Sequence, residues 1–285
     1  MSLTLVGAAT ASNSFGQVRR IRGVTGIAVA VLAIFVLMAL VGPWLAPHQP
    51  NQVDLASVFA SPSWSHPLGA DASGRDLLSR ILTGSRTAMI GPILLVSVST
   101  IAGVGLALIA AWYGGVVDAV ISRFLDVTLA FPGLLIAIVS ASVFGASLVT
   151  ASLALSIAYV PYIGRVVRAE AMRERQLPYV QAAWLQGMSA RRICLSQILR
   201  SLMPMVVAQV VLSISFAVID LAAISYLGLG VQPPTADWGT MVASGQGSVL
   251  QGFPEETIAA SACIVILVMA LGVLGDALSE RAERQ

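Results

Sequence analysis

The chain has 285 residues, 57% of them hydrophobic and 11% charged, with a mean hydropathy of +0.86 and a formal net charge of +2. That balance excludes a water-soluble globule and describes an integral membrane protein. All sixteen basic residues are Arg; without Lys there is neither the P-loop motif GxxxxGK[ST] nor a Schiff-base lysine, so the chain is not itself a nucleotide-hydrolysing enzyme.

The first eighteen residues are small and polar without periodicity and read as a mobile tail, which Arg19, Arg20 and Arg22 extend to 1–23. The apolar run over 24–46 exceeds a signal-peptide core and approaches the ~20 residues a spanning helix needs, so it reads as an uncleaved first span. A loop follows over 47–86. Its two histidines, His48 and His66, have no Cys or carboxylate at metal spacing beside them in sequence, so no metal site is expected. Ser73-Gly74-Arg75-Asp76 reads as a helix N-terminus, after which Leu77, Leu78, Ile81 and Leu82 share one face. Such a helix is expected to lie along the membrane surface, apolar face down, with Asp76 pairing Arg80 at i, i+4. Arg75, Asp76 and Arg80 are then either a lid over the span ends or a platform and gate touched by an external protein.

Five more apolar segments follow, at about 87–111, 119–143, 148–167, 204–229 and 257–274. Each is about long enough to cross ~30 Å of hydrocarbon at 1.5 Å per residue. Lipid requires every backbone donor to be paired within the segment, and no barrel alternation is present, so the spans are helices. The fold class is all-α with six transmembrane helices, both termini on one side, and a short tail at 279–285.

Between the fourth and fifth spans, Arg165 to Arg200 holds seven of the Arg residues. Arg165 to Arg175 continues the fourth helix, and Pro178 breaks it. A short helix from Tyr179 would set Ala182, Ala183 and Gly187 on or near one face, a small-residue surface that permits close approach by another protein. Ser189 could cap a second short helix. The alternative is a solvated basic linker that only fixes topology.

Asp220 falls near the middle of the fifth span, where an ionised carboxylate costs roughly 2.5–3.5 kcal/mol. It must face protein or water, as a translocation-path or inter-subunit group or as a satisfied structural carboxylate. The Gly- and Pro-rich segment Tyr226 to Trp238 marks a helix end that is either a hinge or a rigid stop. Cys194 and Cys263 read as small packing residues, not a disulfide.

Counting Arg by side orients the chain. One side receives Arg19, Arg20, Arg22, Arg123, the seven of the island, Arg281 and Arg284; the other receives only Arg75, Arg80 and Arg86. Arg near span ends resists translocation, so the first side is expected to be cytoplasmic.

These residues carry a family resemblance. Gln181-Ala182-Ala183, Gly187, Ile198-Leu199 and Pro204 resemble the EAA loop of permease subunits in ATP-binding-cassette (ABC) importers. His66-Pro67-Leu68-Gly69-Ala70-Asp71, Gly74-Arg75-Asp76-Leu77-Leu78-Ser79-Arg80, Asp126 with Phe131-Pro132, Leu227 to Pro234 with Trp238-Gly239, and Gly275-Asp276 look like the dipeptide and oligopeptide branch of the DppC/OppC type. The likeness runs from Ala46 to the end. The chain departs from it at Gln181, where Glu is usual, at Arg200 and Ser201, where Pro and Asn are common, and at Gly272, where Asn is usual. Gln181 keeps the shape of Glu but not its charge.

The resemblance implies a type I ABC importer permease fold in a bacterial inner membrane, with a permease core over 87–278 and a coupling loop over 168–203. It implies as partners a second, homologous permease, one or two cytoplasmic ABC ATPase subunits and an external substrate-binding protein, with no cofactor and no nucleic acid. Gln181, Ala182, Ala183, Gly187 and Arg191 would contact the ATPase. The implied cargo is a di- or oligopeptide, with nickel or another small solute as the alternative; a stand-alone carrier or a membrane scaffold would lack these partners.

Overall fold

The computed structural model describes residues 5–283, with side chains from 23 to 282. Arg19, Arg20, Arg22 and Arg284, and the first four residues of the expected tail, lie outside those described side chains or residues. Among the described residues five helices are long and apolar enough to cross a membrane, six if one helix pair bent by 80° is counted as a single span.

The first helix, α1 (Leu5–Leu45), contributes its apolar part over Gly23–Leu45. It begins inside the segment read from sequence as an aperiodic tail: once a spanning helix exists, adding turns to its end needs no new nucleus. After a single 3-10 turn at Leu55–Ser57, α2 (Leu77–Tyr113) runs unbroken for 37 residues. Gly114 and Gly115, both at positive φ, end it and start α3 (Gly115–Leu129). Then come α4 (Gly133–Phe144), α5 (Leu148–Arg175), α6 (Pro178–Leu185), α7 (Ala190–Ile193), a π-helical turn at Cys194–Ile198, α8 (Leu199–Tyr226), α9 (Trp238–Leu250) and α10 (Glu255–Glu283).

Two expectations are corrected here. The segment 119–143 is not one straight span: α3 and α4 meet at an angle of 80°. Pro132 pushes Phe131 out of the helical region, so the chain breaks there and restarts from Pro132. The helix at 73–82 is not a separate surface element either. It is the first turns of α2, with Asp76 as N-cap accepting from the Ser79 backbone N–H, and Leu77 and Ile81 pack against Phe35, Val218, Trp238 and Met241 instead of lipid. In addition, α9 occupies a stretch to which the sequence pattern assigned no element. Asp237 caps it, and its glycines and serines hid its helical propensity.

Helix α2 is the central strut, packed on α5, α8 and α1, while α10 lies against α8, α1 and α9. The α2–α5 contact is close because Gly103 and Gly164 face each other: a Cβ on Gly103 would sit 3.0 Å from the Val160 carbonyl oxygen and 3.1 Å from the Gly164 nitrogen. Small residues let helix backbones approach in a membrane, where packing supplies the association energy. Pro92 and Pro161 lie inside α2 and α5 without breaking them, as neighbouring helices allow in lipid.

The two ends of the bundle differ. At one, Ala107, Leu108 and Ala111 of α2, Val167 and Ala171 of α5, and Val180, Ala183, Ile193 and Ile198 form one buried cluster beneath the Arg-rich loop. At the other, Trp238 is 1% exposed, donates its indole N–H to the Ile81 carbonyl at 3.1 Å and meets Phe35 edge-on. Beside it Asp237 accepts from Gly239 N–H (3.0 Å), Thr240 N–H (3.2 Å) and Thr87 Oγ1 (3.0 Å). Burial pushes the Asp237 carboxyl up, against the lowering effect of these bonds. Asp237→Ala removes the cap of α9 and the tie to α2, and is expected to cost about 1–3 kcal/mol. Thermal unfolding of the purified protein checks it, with Asp237→Asn retaining part of the loss.

Candidate functional site

The Arg-rich loop is a rigid helical elbow. Pro178 occupies the first turn of α6, where its missing N–H leaves no intrahelical bond unmade. At the far end the Gly187 N–H donates to the Trp184 carbonyl (3.0 Å) and the Met188 N–H to the Ala183 carbonyl (3.2 Å). This is a Schellman cap, and it requires Gly187 at φ +79°. A Cβ there would meet nothing within 4 Å, so glycine serves backbone conformation and not internal space.

Side chains root the elbow in the bundle. Arg175 donates to the Ala111 carbonyl at the end of α2 (2.9 Å) and lies over the Trp112 ring, 5.5 Å from its centroid; Trp112 in turn meets Trp184 of α6 edge-on at 5.2 Å. Tyr179 donates to the nearly buried Glu174. Arg168 grips Asp118 bidentately, its Nη2 2.6 Å from Oδ2, and Arg165 pairs with Asp126, so α3 is tied to α5 just before the loop. These contacts join α6 to α2 and α5, and α5 to α3.

The expected contact residues divide. Gln181, Ala182, Gly187 and Arg191 are exposed, and Gln181 Nε2 donates to the Gln176 carbonyl (3.1 Å). Ala183 does not belong to the outer surface: it is 5% exposed and packs with Val180 and Ile193. Adjacent residues on a helix are about 100° apart, so Ala182 and Ala183 cannot both face out while the cluster holds one of them. The elbow instead presents Leu185, 85% exposed, beside Trp184. Sequence reasoning missed both, although two apolar residues between Gln181 and Gln186 were the available signal. A groove of about 520 Å³ runs beside them, lined by Trp112, Arg175, Gln181, Trp184 and Leu185.

Asp220 lies on an open flank of α8. Its Oδ2 accepts from the Tyr159 hydroxyl at 2.7 Å, and the pair lines a cavity of about 480 Å³ with Tyr162, Gln209, Ser213 and Phe216. Tyr159 is buried, whereas Asp220 and Phe216 are exposed. A carboxylate on an exposed mid-span flank is incompatible with bare lipid and requires protein or water against it.

At the opposite end the residues expected to touch an external protein are mostly inside. Asp76 and Arg80 are 2% and 3% exposed, and they do not pair with each other. Asp76 is consumed by Ser79 (N–H 2.8 Å, Oγ 2.6 Å) and His66 Nδ1 (3.0 Å). Arg80 donates to the Pro50 carbonyl (3.2 Å) and lies 3.8 Å from Asp71, which also accepts from Arg75 Nε at 2.6 Å. Burial acts to raise the Asp76 carboxyl, but the Ser79 and His66 donors outweigh it and hold it below its ordinary value. The motif builds a loop over the bundle end, and only Arg75 keeps partial exposure. The structure also supplies what the sequence spacing lacked, a carboxylate beside both histidines.

Comparison with known proteins completes the description. Residues 103–285 match the family described as binding-protein-dependent transport system inner membrane component, and residues 26–62 match the N-terminal TM domain of oligopeptide transport permease C. The chain is 34% identical over 255 residues to the probable D,D-dipeptide transport system permease protein DdpC of Escherichia coli, covering 88% of this chain and 84% of that one. It is 33% identical over 260 residues to the dipeptide transport system permease protein DppC of Haemophilus influenzae (89% and 88% covered). It is also 33% identical over 258 residues to the glutathione transport system permease protein GsiD of Pectobacterium atrosepticum (89% and 85% covered). By these matches the chain, an all-helical bundle with a bent α3–α4 pair and a capped Arg-rich elbow, belongs to the family of inner-membrane permease components of binding-protein-dependent ABC transport systems.

Proposed function

We propose that the chain forms half of a translocation path for di- or oligopeptides, completed by a second, homologous permease, with both termini and the α5–α8 elbow in the cytoplasm. The carrying observation is the elbow itself: a capped helix, rooted by a continuous buried cluster in α2 and α5, that turns Leu185 and Trp184 toward solvent. One or two ABC ATPase subunits dock on it. Closure of the ATPases shifts the bundle because they bind one arrangement of the elbows better than the other; only differential affinity moves such an equilibrium.

The peptide assignment rests on the relatives' names, and the orientation on the thirteen Arg placed by sequence at the elbow side against three at the other. The second permease is supported by the open Asp220 flank, which needs cover. Purification from the native membrane tests the assembly. The chain is expected to bring down a second permease and one or two P-loop ATPases, and to take up peptide in liposomes only with these, ATP and an external binding protein. Uptake by the chain alone would make it a stand-alone carrier and end this reading.

A further inference from the structure

At the end of the bundle away from the elbow, three side chains far apart in sequence converge. His48 follows α1, His66 sits in the loop before α2, and Asp76 caps α2. Their candidate ligand atoms all lie within 4.8 Å of one another. His66 Nδ1 is 3.0 Å from Asp76 Oδ1 and His48 Nδ1 is 3.8 Å from Asp76 Oδ2, while the two imidazole rings stack at 4.9 Å. One imidazole would satisfy the free carboxylate oxygen; here two turn a nitrogen toward the same group.

We propose that His48, His66 and Asp76 form a binding site for a divalent borderline transition ion of the Zn²⁺ class, in addition to the transport role. Two imidazoles and one carboxylate make the donor set such ions prefer, whereas Ca²⁺ and Mg²⁺ call for more oxygens than this site offers. Ligands bound tetrahedrally at about 2.0–2.1 Å stand roughly 3.3 Å apart; His66 Nδ1 lies 3.0 Å from Asp76 Oδ1, close to that edge, and His48 Nδ1 lies 3.8 Å from the other oxygen of the same carboxylate, Oδ2. The neighbouring carboxylate of Asp71 is held away by the Arg75 guanidinium, its Nε at 2.6 Å, and is not among the three groups whose ligand atoms converge.

The supporting shell is in place. Ser79, fully buried, donates its N–H and hydroxyl to Asp76 Oδ2, and its Oγ accepts the His48 backbone N–H at 3.0 Å. One residue therefore orients the carboxylate and anchors the loop that carries a histidine, the arrangement that tunes metal ligands. The His48 side chain is 42% exposed, which gives the ion a way in and leaves coordination positions for water. Three protein ligands with open positions describe an exchangeable site. A bound ion would cross-link the segment after α1 and the loop at 58–69 to the first turn of α2.

The test uses the full-length chain in detergent, purified without a histidine tag and carrying Cys194→Ser and Cys263→Ser, so that no thiolate competes with the chain's two His. Calorimetric titration with Zn²⁺ is expected to show one saturable equivalent and a higher midpoint of thermal unfolding. Cu²⁺, favoured by the same ligands, is expected to give an electron paramagnetic resonance spectrum with two imidazole nitrogens. His48→Ala leaves the His66–Asp76 bond intact; it should weaken Zn²⁺ at least tenfold and reduce the copper pattern to one nitrogen. Absence of saturable binding, a pattern with fewer than two nitrogens in the parent chain, or unchanged affinity in His48→Ala overturns the proposal. None of these readouts depends on transport, so they stand apart from the peptide-permease reading.

Discussion

Gly187→Arg is expected to leave the chain folded and inserted while ATP hydrolysis by the assembled transporter no longer drives uptake. Two physical effects act at this position, and a short series separates them. At φ +79° any L-residue with a Cβ incurs roughly 1–2 kcal/mol, except that Asn tolerates the region better. Gly187→Ala adds little bulk and should loosen the cap, shifting the elbow equilibrium by about 5–30-fold. Gly187→Asn keeps the cap and adds a modest side chain, so it should fall closest to the parent. Gly187→Arg carries both the backbone cost and a long side chain on an exposed surface, and nothing inside the chain blocks it from being built. The ratio of peptide taken up to ATP hydrolysed should rank Gly, Asn, Ala, Arg, with the last reduced about a hundredfold, as befits a loss near 3 kcal/mol. Normal uptake by Gly187→Arg would remove the elbow from the coupling contact. A ranking by size alone, with Asn below Ala, would assign the loss to docking contact and not to the cap.

This series draws on what was legible in the residue pattern and on what was not. Apolar runs of spanning length located the membrane crossings, because twenty apolar residues permit little else, and Pro178 marked the start of α6 through its local steric effect, whereas Gly187, read as part of a small-residue face, is the cap beyond its end. Which of Ala182 and Ala183 faces outward was not legible: both are small, and the choice is made by Val180, Ile193 and Ala171 closing over one of them. The same holds at the other end. Asp76 and Arg80 have the i, i+4 spacing of a surface pair, yet His66 and Ser79 take the one and Pro50 the other, through contacts 30 and 31 residues away in the case of Pro50 with Arg80 and His48 with Ser79. Local spacing constrains a helix, but it does not reveal what a folded-back loop will lay on it. The 80° bend between α3 and α4 was legible in Phe131-Pro132 only as a possibility, since Pro92 and Pro161 stand inside helices that continue.

Asp220→Asn is expected to cut peptide uptake at least tenfold while changing stability by less than about 1 kcal/mol. The argument rests on exposure. A carboxylate kept for structure would be enclosed and its bonds made within the chain, whereas Asp220 has one partner among the described residues, the Tyr159 hydroxyl at 2.7 Å, and otherwise opens into a cavity of about 480 Å³. Asn is close to Asp in shape and can still accept from Tyr159, so folding should barely register the change. What Asn cannot do is hold a negative charge beside a solute or a partner helix in a poorly screened setting, where charge interactions are several-fold stronger than in water. Tyr159→Phe separates the two roles further: it removes the hydrogen bond and leaves the carboxylate, so uptake should fall less than in Asp220→Asn, while stability falls by about 1 kcal/mol. Rates of binding-protein-dependent uptake in liposomes, read beside thermal unfolding of the same preparations, decide the matter. Full transport of every substrate by Asp220→Asn would leave the carboxylate with a structural role alone.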